Sequence, residues 1–209
     1  MQQTIHIVGL GGSLRKASTS RSALAEALEG AAAGGAKTEL IWLRDVELPL
    51  YSPEHAPPPA ARELADKVHA CDAMIWSTPT YHGSLSGALK NALDWLILLG
   101  DREPPYLTNK PIGLISTAGG VQGLQAVNSM DFITRALRGW SVPLVLPIAQ
   151  SWQAFDDQGA LTHRPSGDQL RALGAEVLRA ARQFRADGTC DYAPERQFAT
   201  LPRDGVTSN

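Results

Sequence analysis

Cysteine is almost missing from this chain: 209 residues contain two, Cys71 and Cys190. Two such thiols make no disulfide framework, and a chain this long buries enough surface to fold without one. Charge of one sign is equally scarce. Nineteen Lys and Arg against 21 Asp and Glu leave a formal charge of −2, without the basic surplus expected of a nucleic-acid binder. Low hydrophobicity with high net charge, the mark of disorder, is absent too, because 44% of residues are hydrophobic. No apolar run is long enough for a membrane helix. The start, MQQTIHIVGLGGS, lacks a positive region and a cleavage pattern, so the expectation is a soluble, cytoplasmic protein. The five histidines (6, 55, 69, 82, 163) are scattered, HExxH does not occur, and no Cys pair has ligand spacing, so no metal is expected. No pair of acids is placed for glycoside chemistry.

Alanine and glycine are abundant, at 29 and 19 residues, and the alanines suggest helices packed closely on a sheet. Short β-rich runs alternate with helical patterns. Strands are predicted at 4–11, 38–43, 72–77, 110–117 and 142–148; helices are predicted at 20–33, about 60–70, 84–99, about 122–138 and about 167–187. Strands such as AMIW and IGLI are continuously apolar, as when both sheet faces are covered. Five strands separated by helices imply an α/β three-layer sandwich with a parallel sheet, and the flavodoxin-like order 2-1-3-4-5 suits one domain of this size. The domain is expected over 1–187. The polar remainder, 188–209, with Pro194 and Pro202, reads as an extension.

Ligands of open α/β sheets sit beyond the carboxyl ends of the strands, where strand order reverses. Three loops there combine Gly with small hydroxyl residues. GLGGSLRKASTSR leads from strand one into a helix, which is the geometry of an anion site. It lacks the third glycine of GxGxxG and the GK[ST] of a Walker A loop. Its hydroxyls and Arg15 suit a terminal phosphate. In STPTYHGS, Pro79 stiffens the turn, Gly83 lets backbone approach a flat ligand, and Tyr81 and His82 border an aromatic ring. STAGGVQG offers free backbone at residues 119, 120 and 123. A phosphate cradle beside a flat slot, with neither metal nor protein nucleophile, points to a cofactor that carries the chemistry itself. One motif points elsewhere. GSLSG (83–87) matches the nucleophile elbow of serine hydrolases, with Ser86 as nucleophile and Asp131 or Asp156 with His163 as partners, but that elbow needs Ser on a sharp strand-to-helix turn. Pro79 stops the strand seven residues earlier, so Ser86 is expected in the first helical turn.

GSLRKASTSRSALAEAL and STPTYHGSLSGALKNALDW resemble the two diagnostic stretches of the NAD(P)H-dependent FMN reductases, a flavodoxin-like family that includes quinone, chromate and azo-dye reductases. ISTAGG is similar to its third flavin loop. The resemblance covers roughly 4–150. It implies that Ser13, Arg15, Ser18 and Ser20 hold the FMN phosphate. Pro79, Thr80, Tyr81, His82 and Gly83 would border the isoalloxazine, with Ala118, Gly119 and Gly120 on its pyrimidine side. Ser20, Thr80 and His82 stand where the family commonly has Asn, Glu and Asn. The implied activity is ping-pong transfer from NAD(P)H through FMN to a small acceptor, such as free flavin or a quinone, with no catalytic acid or base from the protein. A homodimer or homotetramer is implied as well, with the 85–99 helix, including Trp95 and Ile97, at the interface. A flavodoxin-type electron carrier would share the fold, but such carriers are usually strongly acidic and this chain is not.

Overall fold

A computed structural model describes residues 4–186. Five strands form one parallel sheet: β1 (His6–Gly11), β2 (Lys37–Trp42), β3 (Ala73–Pro79), β4 (Pro111–Thr117) and β5 (Trp140–Ile148). Their order is β2-β1-β3-β4-β5, as expected from the alternating pattern. Burial follows position in the sheet. β1, β3 and β4 are buried almost throughout, whereas the edges β2 and β5 are buried only at intervals. Pro143 and Pro147 are exposed on β5, where a missing N–H leaves no central ladder broken.

Five helices cover the sheet: α1 (Thr19–Ala33), α2 (Pro59–Ala70), α3 (Gly87–Asp94), α4 (Gly123–Ala136) and α5 (Arg164–Ala186). Successive strand residues point to opposite faces, and this divides the core in two. Val8, Leu10, Met74, Trp76 and Leu114 meet residues of α2, α3 and α4. Ile7, Ile75 and Ile115 meet residues of α1 and α5. The alanines of α1 serve a helix–helix contact as well as a helix–sheet one. A Cβ at Gly30 would lie 2.2 Å from the Arg171 carbonyl oxygen, and one at Gly174 would lie 1.8 Å from the Ala27 carbonyl oxygen. The backbones of α1 and α5 therefore touch, and Arg171 pairs with Glu26 beside the contact.

The helix predicted over 84–99 is shorter and broken. Tyr81 and Ser84 exchange backbone hydrogen bonds across a two-residue turn. Ser86 then caps α3, and Trp95–Leu99 continue as a 3₁₀ segment. Trp95 does not face a neighbouring subunit as expected: it is 2% exposed, its Nε1 donates to the Pro49 carbonyl, and Tyr51 packs edge-on against it. Ile97 is exposed. α5 begins at Arg164, earlier than the predicted 167. The 188–209 extension and Cys190 lie outside the described residues. Among those residues, no helix is long and apolar enough to cross a membrane, and no group of three or more His, Cys, Asp and Glu could hold a metal ion.

Candidate functional site

A cavity of about 320 Å³ opens at the carboxyl ends of β1, β3 and β4, with the loop after β5 closing its far side. It includes the point between β1 and β3 where strand order reverses. The loop after β1 is built so that its carbonyls are occupied from outside the cavity. Ser86 Oγ donates to the Gly12 carbonyl at 2.7 Å, Trp42 Nε1 to Ser13 at 2.6 Å, and an Arg44 guanidinium nitrogen to Leu14 at 2.6 Å. Three successive acceptors are thereby satisfied just before a helix N-terminus, where free N–H groups and the helix dipole favour an anion.

Ser13, Ser18 and Ser20 are buried at this end of the cavity. Ser18 is the N-cap of α1, accepting from the Arg21 N–H at 3.2 Å, and its hydroxyl shares a 3.0 Å hydrogen bond with that of Ser20. Ser77 Oγ on β3 donates to the Ser20 carbonyl at 2.8 Å, fixing the start of α1 against the sheet. Arg15 lines the cavity from an exposed position.

On the second loop, Pro79, Thr80 and Tyr81 line the cavity. Thr80 Oγ1 is buried there without a hydrogen-bond partner, an orphan polar atom of the kind that a ligand satisfies. His82 and Gly83 instead form the tip of the adjoining turn, with φ of 50° and 80°, as two-residue type I′ connections require. A Cβ on Gly83 would meet Gln125 Oε1 at 2.6 Å. The positive φ of the turn is itself a reason for glycine at 83, and the residue stands at the edge of the cavity rather than in its lining. On the third loop, Ala118 and Gly119 line the cavity. A Cβ on neighbouring Gly120 would meet nothing within 4 Å, so packing gives no reason for glycine there.

Nine of the twelve residues expected around the cofactor therefore share one cavity, and His82, Gly83 and Gly120 adjoin it. The fourth wall, with Ser151, Trp152, Phe155 and Asp157, is one that motif reading passed over. The usable signal was positional, since this segment also follows the carboxyl end of a strand. Ser86 is not a nucleophile. It is 3% exposed, and its Oγ both accepts from the Leu89 N–H at 3.1 Å and donates to Gly12. Asp131 pairs with Arg135, and His163 Nδ1 is engaged by Ser166 at 2.9 Å.

Residues 5–153 match the family described as NADPH-dependent FMN reductase. The chain belongs to that family. Over 208 residues it is 29% identical to the NADPH-dependent FMN reductase ArsH of Shigella flexneri, covering 97% of this chain and 80% of that one. It is 38% identical over 111 residues to an FMN-dependent NADPH-azoreductase of Staphylococcus aureus, a match spanning 53% of this chain and 56% of the other. The fold is similar to that of the flavoenzyme FerB of Paracoccus denitrificans, with a TM-score of 0.66 at 24% identity, over 87% of this chain and 99% of that one. This FMN reductase family member is an oxidoreductase enzyme, with FMN and a nicotinamide nucleotide as its cofactors. The buried serine cluster, the three occupied carbonyls and the orphan Thr80 hydroxyl are features that suit FMN.

Proposed function

We propose that the cavity holds FMN with its phosphate at Ser13, Arg15, Ser18 and Ser20 and its ring along Pro79, Thr80 and Tyr81 on one side and Ala118, Gly119 and Gly120 on the other. His82 and Gly83 shape the rim. The observation that carries this reading is the serine cluster at the α1 N-terminus, with the preceding carbonyls held away from it. Bound FMN supplies two-electron exchange, so that NAD(P)H, a proton and a quinone-like acceptor yield NAD(P)⁺ and the reduced acceptor.

The chain's own part is binding and orientation. Arg15 offers a guanidinium fork to the phosphate, the serine hydroxyls supply short-range donors, and the Thr80 hydroxyl is free to bond a ring heteroatom. No side chain of the cavity is needed as acid or base. The physiological acceptor is a small molecule such as free flavin or a quinone. We place the enzyme in the cytoplasm as a homodimer or homotetramer. Leu124 and Phe132 on the outer face of α4 and Ile97 after α3 are large apolar residues left exposed on one chain, which supports association and is checked by light scattering.

The test is the absorption spectrum of purified protein with added FMN, followed by anaerobic addition of NADH or NADPH. A retained flavin band that bleaches with either nucleotide is expected. Retention without bleaching favours an electron carrier, and absence of retention overturns the placement.

A further inference from the structure

The wall after β5 has no role in the phosphate and ring assignment, yet it is built with care. Gln150 adopts a left-handed backbone, φ 46°, a conformation that a non-glycine residue holds only where its surroundings enforce it. It launches a 3₁₀ turn over Ser151–Gln153. Ser151 is fastened twice: its N–H donates to the Ala118 carbonyl at 3.1 Å, and its hydroxyl accepts from Thr19 Oγ1 at 3.2 Å. This anchored turn presents Trp152, whose side chain lines the cavity while the residue remains 59% exposed. Its ring edge lies 3.7 Å from where a Cβ of Gly119 would stand, an ordinary contact distance, so the indole sits beside the third loop. Tyr81 on the same cavity is also exposed. Two exposed aromatic residues on one cavity, one of them on a turn pinned at its base, suit a planar aromatic guest.

Charge narrows the class of guest. Asp156 spends Oδ1 on the N–H groups of Gln158 and Ala160, whereas Asp157 is exposed on the cavity with no hydrogen-bond or ion-pair partner among the described residues. The wall that carries Trp152 is therefore negative. We propose that Trp152 is the stacking wall for the electron acceptor, that this acceptor is a planar fused-ring aromatic, uncharged or cationic, and that Asp157 disfavours anionic ones. This rests on the reductase reading above.

The test uses FMN-loaded enzyme with 1,4-naphthoquinone, its 2-sulfonate, and ferricyanide as a compact non-planar acceptor. Trp152→Ala is expected to lower the kcat/KM ratio of naphthoquinone to ferricyanide about tenfold, chiefly through KM. Trp152→Phe restores most of the ratio, and Trp140→Ala, at an exposed tryptophan packed on Phe184 away from the cavity, leaves it as in the parent. Asp157→Asn raises kcat/KM for the sulfonate several-fold relative to the neutral quinone. Independently of turnover, calorimetric binding of redox-inert 2-naphthol weakens about tenfold in Trp152→Ala. An unchanged ratio and naphthol affinity in that variant overturn the proposal, and so does loss of FMN, which would assign the indole to the cofactor instead. An unaltered preference in Asp157→Asn overturns the charge selection. If the parent oxidises neither nucleotide with any acceptor, the reductase reading fails, while naphthol binding still reports on Trp152.

Discussion

Ser86 Oγ donates a 2.7 Å hydrogen bond to the Gly12 carbonyl, 74 residues away in sequence, and the same oxygen caps α3 through the Leu89 N–H. One buried hydroxyl thus ties the loop after β1 to the helix that follows β3. Ser86→Ala is expected to lose about 1–2 kcal/mol of stability, from the cap and an unpaired carbonyl together. The readout is a lower urea midpoint with an unchanged m value. Any ester hydrolysis by the purified protein should be the same before and after this substitution.

Arg15→Ala removes the guanidinium fork proposed for the FMN phosphate. Because Arg15 is exposed, the loss should fall at the low end for a charge-assisted contact, about tenfold in FMN dissociation constant. Flavin fluorescence during titration checks it, with Lys16→Ala, outside the cavity lining, as the neutral comparison.

Two glycine-to-alanine changes should move stability in opposite directions. At Gly174 the new methyl would stand 1.8 Å from the Ala27 carbonyl oxygen, forcing α1 and α5 apart at a cost of about 3 kcal/mol or more. At Gly87, the first residue of α3, nothing lies within 4 Å. Alanine there should add about 0.4–1 kcal/mol by restricting the unfolded chain. Thermal melts of the two variants beside the parent distinguish them.

Burial raises the Cys71 thiol from its ordinary value of 9.0 to about 11, against the opposing charge of Lys110. Between those values the unfolded chain releases a proton that the folded chain retains. This contribution to stability is therefore intact below pH 9 and is lost as pH rises toward 11, amounting to about 2–3 kcal/mol at the alkaline end. Subtracting the stability profile of Cys71→Ala from that of the parent isolates it. Below pH 8, alkylation of Cys71 should require unfolding.

Most of the architecture was legible because central strands bury both faces and so read as unbroken apolar runs, as AMIW and IGLI do. The three Gly- and hydroxyl-rich loops were legible because the end of each strand locates them. The limits of helix α3 were not, since its start depends on the Tyr81–Ser84 turn and its end on where Trp95 finds an acceptor, Pro49, 46 residues away. Trp152 escaped notice for a similar reason. AQSWQAFDDQG carries no phosphate-loop chemistry, and its place on the cavity follows from hydrogen bonds to Ala118 and Thr19 that no local pattern announces. The tight Tyr81–Ser84 turn that puts Gly83 at positive φ is equally illegible, because it is closed by backbone hydrogen bonds rather than by a residue pattern.

The contact between Gly30 and the Arg171 backbone also orders events during synthesis. The serines of α1 leave the ribosome well before α5, the last of the described elements, which backs the helix they begin. Until α5 docks, the face of α1 that carries Gly30 has no partner. Capture of the cofactor therefore awaits α5, and a nascent chain stalled before residue 164 should emerge without it.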